Sequence, residues 1–214
     1  MRGWRAAALL RSCIETCAAI ERQDAATHVV VYMDGGRAWV PGAVVRLGQA
    51  ETSRLFLDEG IHLEWRHGKP PRLAAELPEA GNIVPISFRM STPAQFELPG
   101  KMNALAFAQP YGSGPLPITV LGDRVARFLA PYGDSDAGRI LGHILAHEIG
   151  HTLEGIARHS DSGVMKASWD VSDLEQMRRT GLSFAAPDQH FLRQHFAVQS
   201  EGASCKIAGH AGTR

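Results

Sequence analysis

His147, Glu148 and His151 form an H-E-x-x-H, and the types and spacing of these residues define the chemistry open to them. Residues four apart are neighbours on one helical face, so the two imidazoles stand side by side. A pair so placed chelates one Zn2+ ion, and the glutamate next to the first histidine reaches a water on that ion. Gly155 then ends the helix, and His159 lies where the returning chain can supply a third ligand. The fourth tetrahedral position is left to water, which separates a catalytic zinc from a structural one. Glu154 and Asp161 are the alternative third ligands. With ten histidines among 214 residues, chance placement gives this motif in about 0.03 chains of such composition, which favours a metal site over a packed or solvated histidine helix.

Three further residues near the motif need a reading of their own. His143 lies one turn before His147 on the same stripe, as either a residue supporting the cleft or a packed histidine. Met165 closes an S-G-V-M turn and is either an apolar floor to the site or an ordinary core methionine. Trp169 reads as a core anchor.

A helix must carry the motif, and the flanking pattern supplies one. Ile140, Leu141, Ile144, Leu145, Ile149 and Leu153 recur at helical spacing, with Asp134 or Ser135 as N-cap and Gly155 as the stop. Upstream, Thr27 to Met33 is a β-branched run ending in Asp34-Gly35-Gly36, a strand buried on both faces. Pro41-Gly42 opens a helix that runs toward Gly60, and Ile61 to Trp65 alternates as a second strand. That order is a candidate parallel crossover. Ile83 to Met90 is another strand with Ile86 and Phe88 on one face; Leu105 to Ala108 is a weaker one, and Ile118 to Leu121 a short apolar one. Asp123 is expected to cap a helical turn carrying Val125, Phe128 and Leu129.

Behind the motif, Ser172 and Glu175 read as a capping box for a helix through Arg179 that stops at Gly181. Pro187 and Asp188 begin a last helix carrying Phe191, Leu192 and Phe196, and residues 199–214 read as a flexible tail. The expected organisation is one α+β catalytic domain over residues 1–198. In it a sheet-and-helix part (1–155) with the motif helix precedes a small helical part (156–198).

Composition narrows the function classes. Twenty-two basic residues balance 22 acidic ones, so neither nucleic acid nor an anionic membrane is indicated as a partner. No run approaches the roughly 18 apolar residues of a membrane span. The N-terminus begins like a secretion signal, but Arg11 interrupts the apolar run and no small-x-small site follows. Leu10, Ile14, Cys17 and Ile20 instead read as an amphipathic helix, which leaves a cytoplasmic and an exported location both open. Cys13, Cys17 and Cys205 build no disulfide framework and read as small packing residues. The glycines of residues 110–117 lack the lysine that a phosphate-binding loop needs.

The HEIGH segment, Gly155, His159 and the SGVM turn together resemble the metzincin zinc peptidases, and specifically small bacterial members with an AHEIGH and H-S-x-x-G-x-M pattern followed by a tryptophan, here Trp169. The resemblance implies a mixed twisted sheet with a backing helix and an active-site helix. It implies His147, His151 and His159 as zinc ligands, Glu148 as general base and Met165 as the Met-turn residue beneath the metal. The chain departs from the usual H-E-x-x-H-x-x-G-x-x-H: Glu154 occupies the glycine position and Ala157 the third histidine position, so the interval between second and third ligands is two residues longer. The expected function is a zinc peptidase acting on peptide or protein substrates. The alternative is a non-catalytic, zinc-stabilised binding or regulatory domain on the same scaffold.

Overall fold

A computed structural model describes residues 27–35, 39–71, 82–89, 91–94, 97, 103–109 and 117–196. The expected N-terminal helix, most of the 110–117 loop, the tail and all three cysteines lie outside the described residues.

Five strands form one mixed sheet: β1 (Thr27–Asp34), β2 (Ile61–His67), β3 (Ile83–Arg89), β4 (Ala106–Phe107) and β5 (Ile118–Leu121). Their order is β2-β1-β3-β5-β4, with every neighbouring pair parallel except the last. β1 is flanked on both sides, so its run Val29 to Met33 is buried throughout. Side chains alternate across a strand. Val29, Val31 and Met33 accordingly join the main core, while Val30 and Tyr32 form a small second cluster with Ile83.

Helix α1 (Gly42–Leu57) is the crossover between β1 and β2. Helix α2 (Gly122–Leu129) follows β5 directly, and α3 (Asp134–Glu154) is the long helix that carries the histidine motif. The mixed sheet, the backing helix α1 and the motif-bearing helix α3 are the arrangement expected for the α+β class. The α1–α3 contact is close because its residues are small. A Cβ added to Gly142 would lie 2.6 Å from the Glu51 Cβ and 2.9 Å from the Gly48 carbonyl oxygen. The buried Thr52 hydroxyl sits between the Gly48 and Gly142 carbonyls at 2.8 and 3.0 Å, tying one helix to the other.

Two C-terminal helices complete the described structure: α4 (Val171–Arg179) and α5 (residues 186–196). Helix α4 packs back toward α3, while Gln189 of α5 donates to Glu59, just past α1, at 3.0 Å. Arg178 pairs with Asp136 at 2.7 Å, and Arg139 donates to the Arg179 carbonyl. No helix among the described residues is long and apolar enough to cross a membrane.

Helix starts differ from the sequence expectation in three places. The N-cap of α3 is Gly133 rather than Asp134 or Ser135, and Asp134 and Asp136 stand in the first turn, where the helix dipole favours negative charge. Asp123 does not cap α2; its carboxylate accepts the Thr92 N–H and hydroxyl instead. The capping box of α4 is Asp170 with Asp173, two residues before the expected pair. Lys166 fixes that register by binding both carboxylates, at 2.8 and 2.5 Å.

Candidate metal centre

The last two turns of α3 place His147 and His151 on one face, and Gly155 ends the helix with φ +68°. That left-handed conformation suits a residue without Cβ and turns the chain back toward the helix. The return is held by hydrogen bonds: the Ser160 N–H donates to the Met165 carbonyl at 2.9 Å, and the Val164 N–H to the Ser183 carbonyl at 3.0 Å. Gly163, with φ +77°, makes the tight turn, and any Cβ there would strike the Ser183 carbonyl oxygen at 2.4 Å.

The turn brings His159 to the motif. One ligand atom each from His147, His151 and His159 lies within 4.8 Å of the others. The ring of His159 stacks on that of His147 at a 5.3 Å centroid distance and meets that of His151 edge-on at 5.0 Å. Glu154 and Asp161, the alternative ligands, are not part of this trio. The Glu154 carboxylate is buried 3.4 Å from the Arg158 guanidinium, and Asp161 is exposed.

Ring orientation decides what the pair can bind. His147 Nδ1 lies 2.9 Å from the Val164 carbonyl oxygen and His151 Nδ1 lies 3.2 Å from that of Ile156. A carbonyl oxygen only accepts, so both Nδ1 atoms carry their protons and both Nε2 atoms present lone pairs. Burial keeps the rings neutral: it lowers the pKa of His147 to about 3, with the charge of His151 adding to the effect, and that of His151 to about 4. The two Nε2 atoms face each other at 3.1 Å. Opposed lone pairs at that distance repel unless a cation lies between them. Tetrahedral zinc with Zn–N bonds of 2.0–2.1 Å spaces two ligand nitrogens by about 3.3 Å, so the His147–His151 pair fits the ion.

No family model matches the chain, and no curated protein matches it. Among solved structures it is similar to archaemetzincin from Methanopyrus kandleri, at 17% identity and a TM-score of 0.49, over 79% of this chain and 96% of that one. It is likewise similar to a zinc-dependent peptidase from Methanocorpusculum labreanum, at 16% identity and a TM-score of 0.49, over 76% and 99%.

Glu148 lies between the two histidines in sequence and is buried beside them. Burial pushes its carboxyl up to about 8, partly offset by a hydrogen bond from the backbone of Ala108, next to β4. A divalent cation nearby would favour the ionised form. Met165 is fully buried in the turn, and its sulfur packs on Gly150 between the two motif histidines, 2.7 Å from where a Cβ would stand. Trp169 meets the His147 ring edge-on at 5.5 Å and donates to the Gly163 carbonyl, so this anchor also walls the site.

His143 is placed elsewhere. Its Nδ1 meets the Arg139 carbonyl at 2.8 Å and its Nε2 accepts the Leu182 N–H at 2.8 Å. Both nitrogens serve backbone, so the residue fastens the loop after α4 to α3 and leaves none for a ligand histidine. Sequence reasoning missed the carbonyls of Val164 and Ile156, which no side-chain pattern marks. It also missed Arg158 and Asp188, whose signal is an acidic residue in the first turn of a helix, common enough to pass as ordinary capping.

Proposed function

We propose that the protein is a zinc-dependent peptidase in which His147, His151 and His159 hold the metal and Glu148 is the general base. The observation that carries this reading is the pair of Nε2 lone pairs opposed at 3.1 Å with a buried carboxyl in the intervening sequence. A purely structural zinc site has no use for a base at that position.

Zinc bound here supplies Lewis acidity toward a peptide carbonyl and makes a coordinated water acidic near neutral pH. The chain's own residues do the rest. Val164 and Ile156 fix the tautomers that keep both imidazoles available as ligands. Glu148 takes the proton of the attacking water and returns it to the departing amine. β4 is the edge of the sheet, and residues 104–109 pass next to Glu148 through Ala108. An extended peptide lying along this edge would bring its scissile bond to the base, a common mode of strand recognition.

The test is casein cleavage by the wild-type chain with and without chelator, alongside Glu148→Gln. The expected outcome is chelator-sensitive cleavage that falls by at least about 10²-fold in Glu148→Gln, with one equivalent of zinc retained. Zinc binding with no cleavage by the wild type would leave a zinc-stabilised binding domain instead.

A further inference from the structure

His159 differs from the other two ligands in how it is held. His147 and His151 stand on a helix, with each Nδ1 fixed by a carbonyl. His159 is exposed on a loop, and among the described residues no hydrogen bond reaches its ring. Its two chain neighbours are gripped instead, by one carboxylate 28 residues away in sequence from Ser160. Oδ1 of Asp188 accepts from the Arg158 guanidinium at 2.6 Å and from the Ser160 hydroxyl at 2.5 Å. Oδ2 of the same side chain accepts the Ala185 N–H at 3.0 Å and so caps α5. Asp188 is fully buried. Arg158 also bonds the Ser160 hydroxyl at 3.0 Å and lays its guanidinium over the Phe191 ring of α5, 4.3 Å from the centroid. Ser160 is in turn tied by its backbone to the Met165 carbonyl.

We infer that Asp188 is a positioning residue for the third ligand: it clamps residues 158 and 160 to α5 and thereby sets where His159 meets the metal. This rests on the three-histidine reading of the site. It also accounts for the departure in spacing. An interval two residues longer than the usual one gives the loop more freedom, and the buried carboxylate removes it.

Burial of an acid solely to cap a helix would need only one oxygen. Here the second oxygen takes two charge-assisted or hydroxyl bonds on the far side, which is the pattern by which outer partners orient ligands. The clamp therefore predicts an effect on metal affinity that depends on His159 itself.

The experiment is a double-mutant cycle on zinc affinity, measured by competition with a chromophoric chelator for wild type, Asp188→Asn, His159→Ala and the double variant. Melting of each apo protein confirms that it folds, and Co2+ substitution reports the coordination geometry. Asp188→Asn is expected to weaken zinc about 10- to 100-fold in the wild-type background and to weaken and shift the visible Co2+ bands. In the His159→Ala background it is expected to change zinc affinity less than about twofold, because its target is gone. Equal losses in both backgrounds, or wild-type affinity and Co2+ bands in Asp188→Asn, would overturn the inference while leaving the site standing. A wild-type chain that binds no zinc, or a His159→Ala variant that binds as tightly as wild type, would overturn the three-histidine reading and the inference with it.

Discussion

Glu154 carries the same charge type as Glu148 but sits in a different setting, with both oxygens buried and without a hydrogen-bond partner among the described residues. Burial raises its pKa to about 7, against the opposing charge of Arg158 and with a smaller push from Asp188. The folded carboxyl thus holds its proton above the unfolded value of 4.5, and stability is lost as pH rises through that window. Glu154→Gln removes this slope. In apo protein the variant should gain on wild type from about pH 4.5 to about pH 7 and hold a constant advantage above it. Chemical denaturation at several pH values measures this, and a pH-independent difference would contradict it. At this scale the chelating pair was legible in the sequence because helix geometry alone sets residues four apart on one face. The exclusion of Glu154 was not, since it depends on where Gly155 sends the chain and on Arg158 meeting it.

Elements were legible wherever burial is periodic. β1, α1, β2, β3 and α3 follow from their apolar patterns, and even the two-residue β4 lies inside the expected weak strand. Helix starts were not. Asp170-x-x-Asp173 and Ser172-x-x-Glu175 offer equivalent capping boxes two residues apart, and Lys166 makes the choice from outside the helix. Asp123 likewise turns from its own helix to Thr92, a partner that local sequence does not announce. The α1–α3 contact gives a sharp test of the packing. In an exposed helix Gly→Ala stabilises by about 1 kcal/mol, but at Gly142 the new methyl meets the Gly48 carbonyl and the stem of Glu51. Because the backbone of α1 must yield, Gly142→Ala should destabilise by about 1–2 kcal/mol, lowering the melting temperature by about 3–6 °C. An unchanged or raised melting temperature would mean that the helices are not this close.

Seen as a whole, the molecule uses its sheet and α1 to hold α3, and its C-terminal helices to hold the loop that returns to α3. His143 and Arg139 fasten the chain around α4 to α3, and Asp188 fastens the 158–160 loop to α5. Metal added to such a site should stabilise the fold by mass action. At free zinc about 100 times its dissociation constant the gain is about 2.7 kcal/mol, or about 5–10 °C in melting temperature for a chain of this size. The gain should vanish with chelator and in His147→Ala. What the sequence conveyed at this scale was the order of sheet, motif helix and helical tail. It did not convey how the C-terminal part is tied back, because those bonds join side chains to distant backbone. The most direct measurement of the central claim is an anomalous difference map at the zinc edge from crystals grown with zinc. The account predicts one peak about 2.0–2.1 Å from Nε2 of His147 and of His151 and from a ring nitrogen of His159. A peak ligated by Glu154 or Asp161 instead of His159, or no peak between the two α3 histidines, would contradict it.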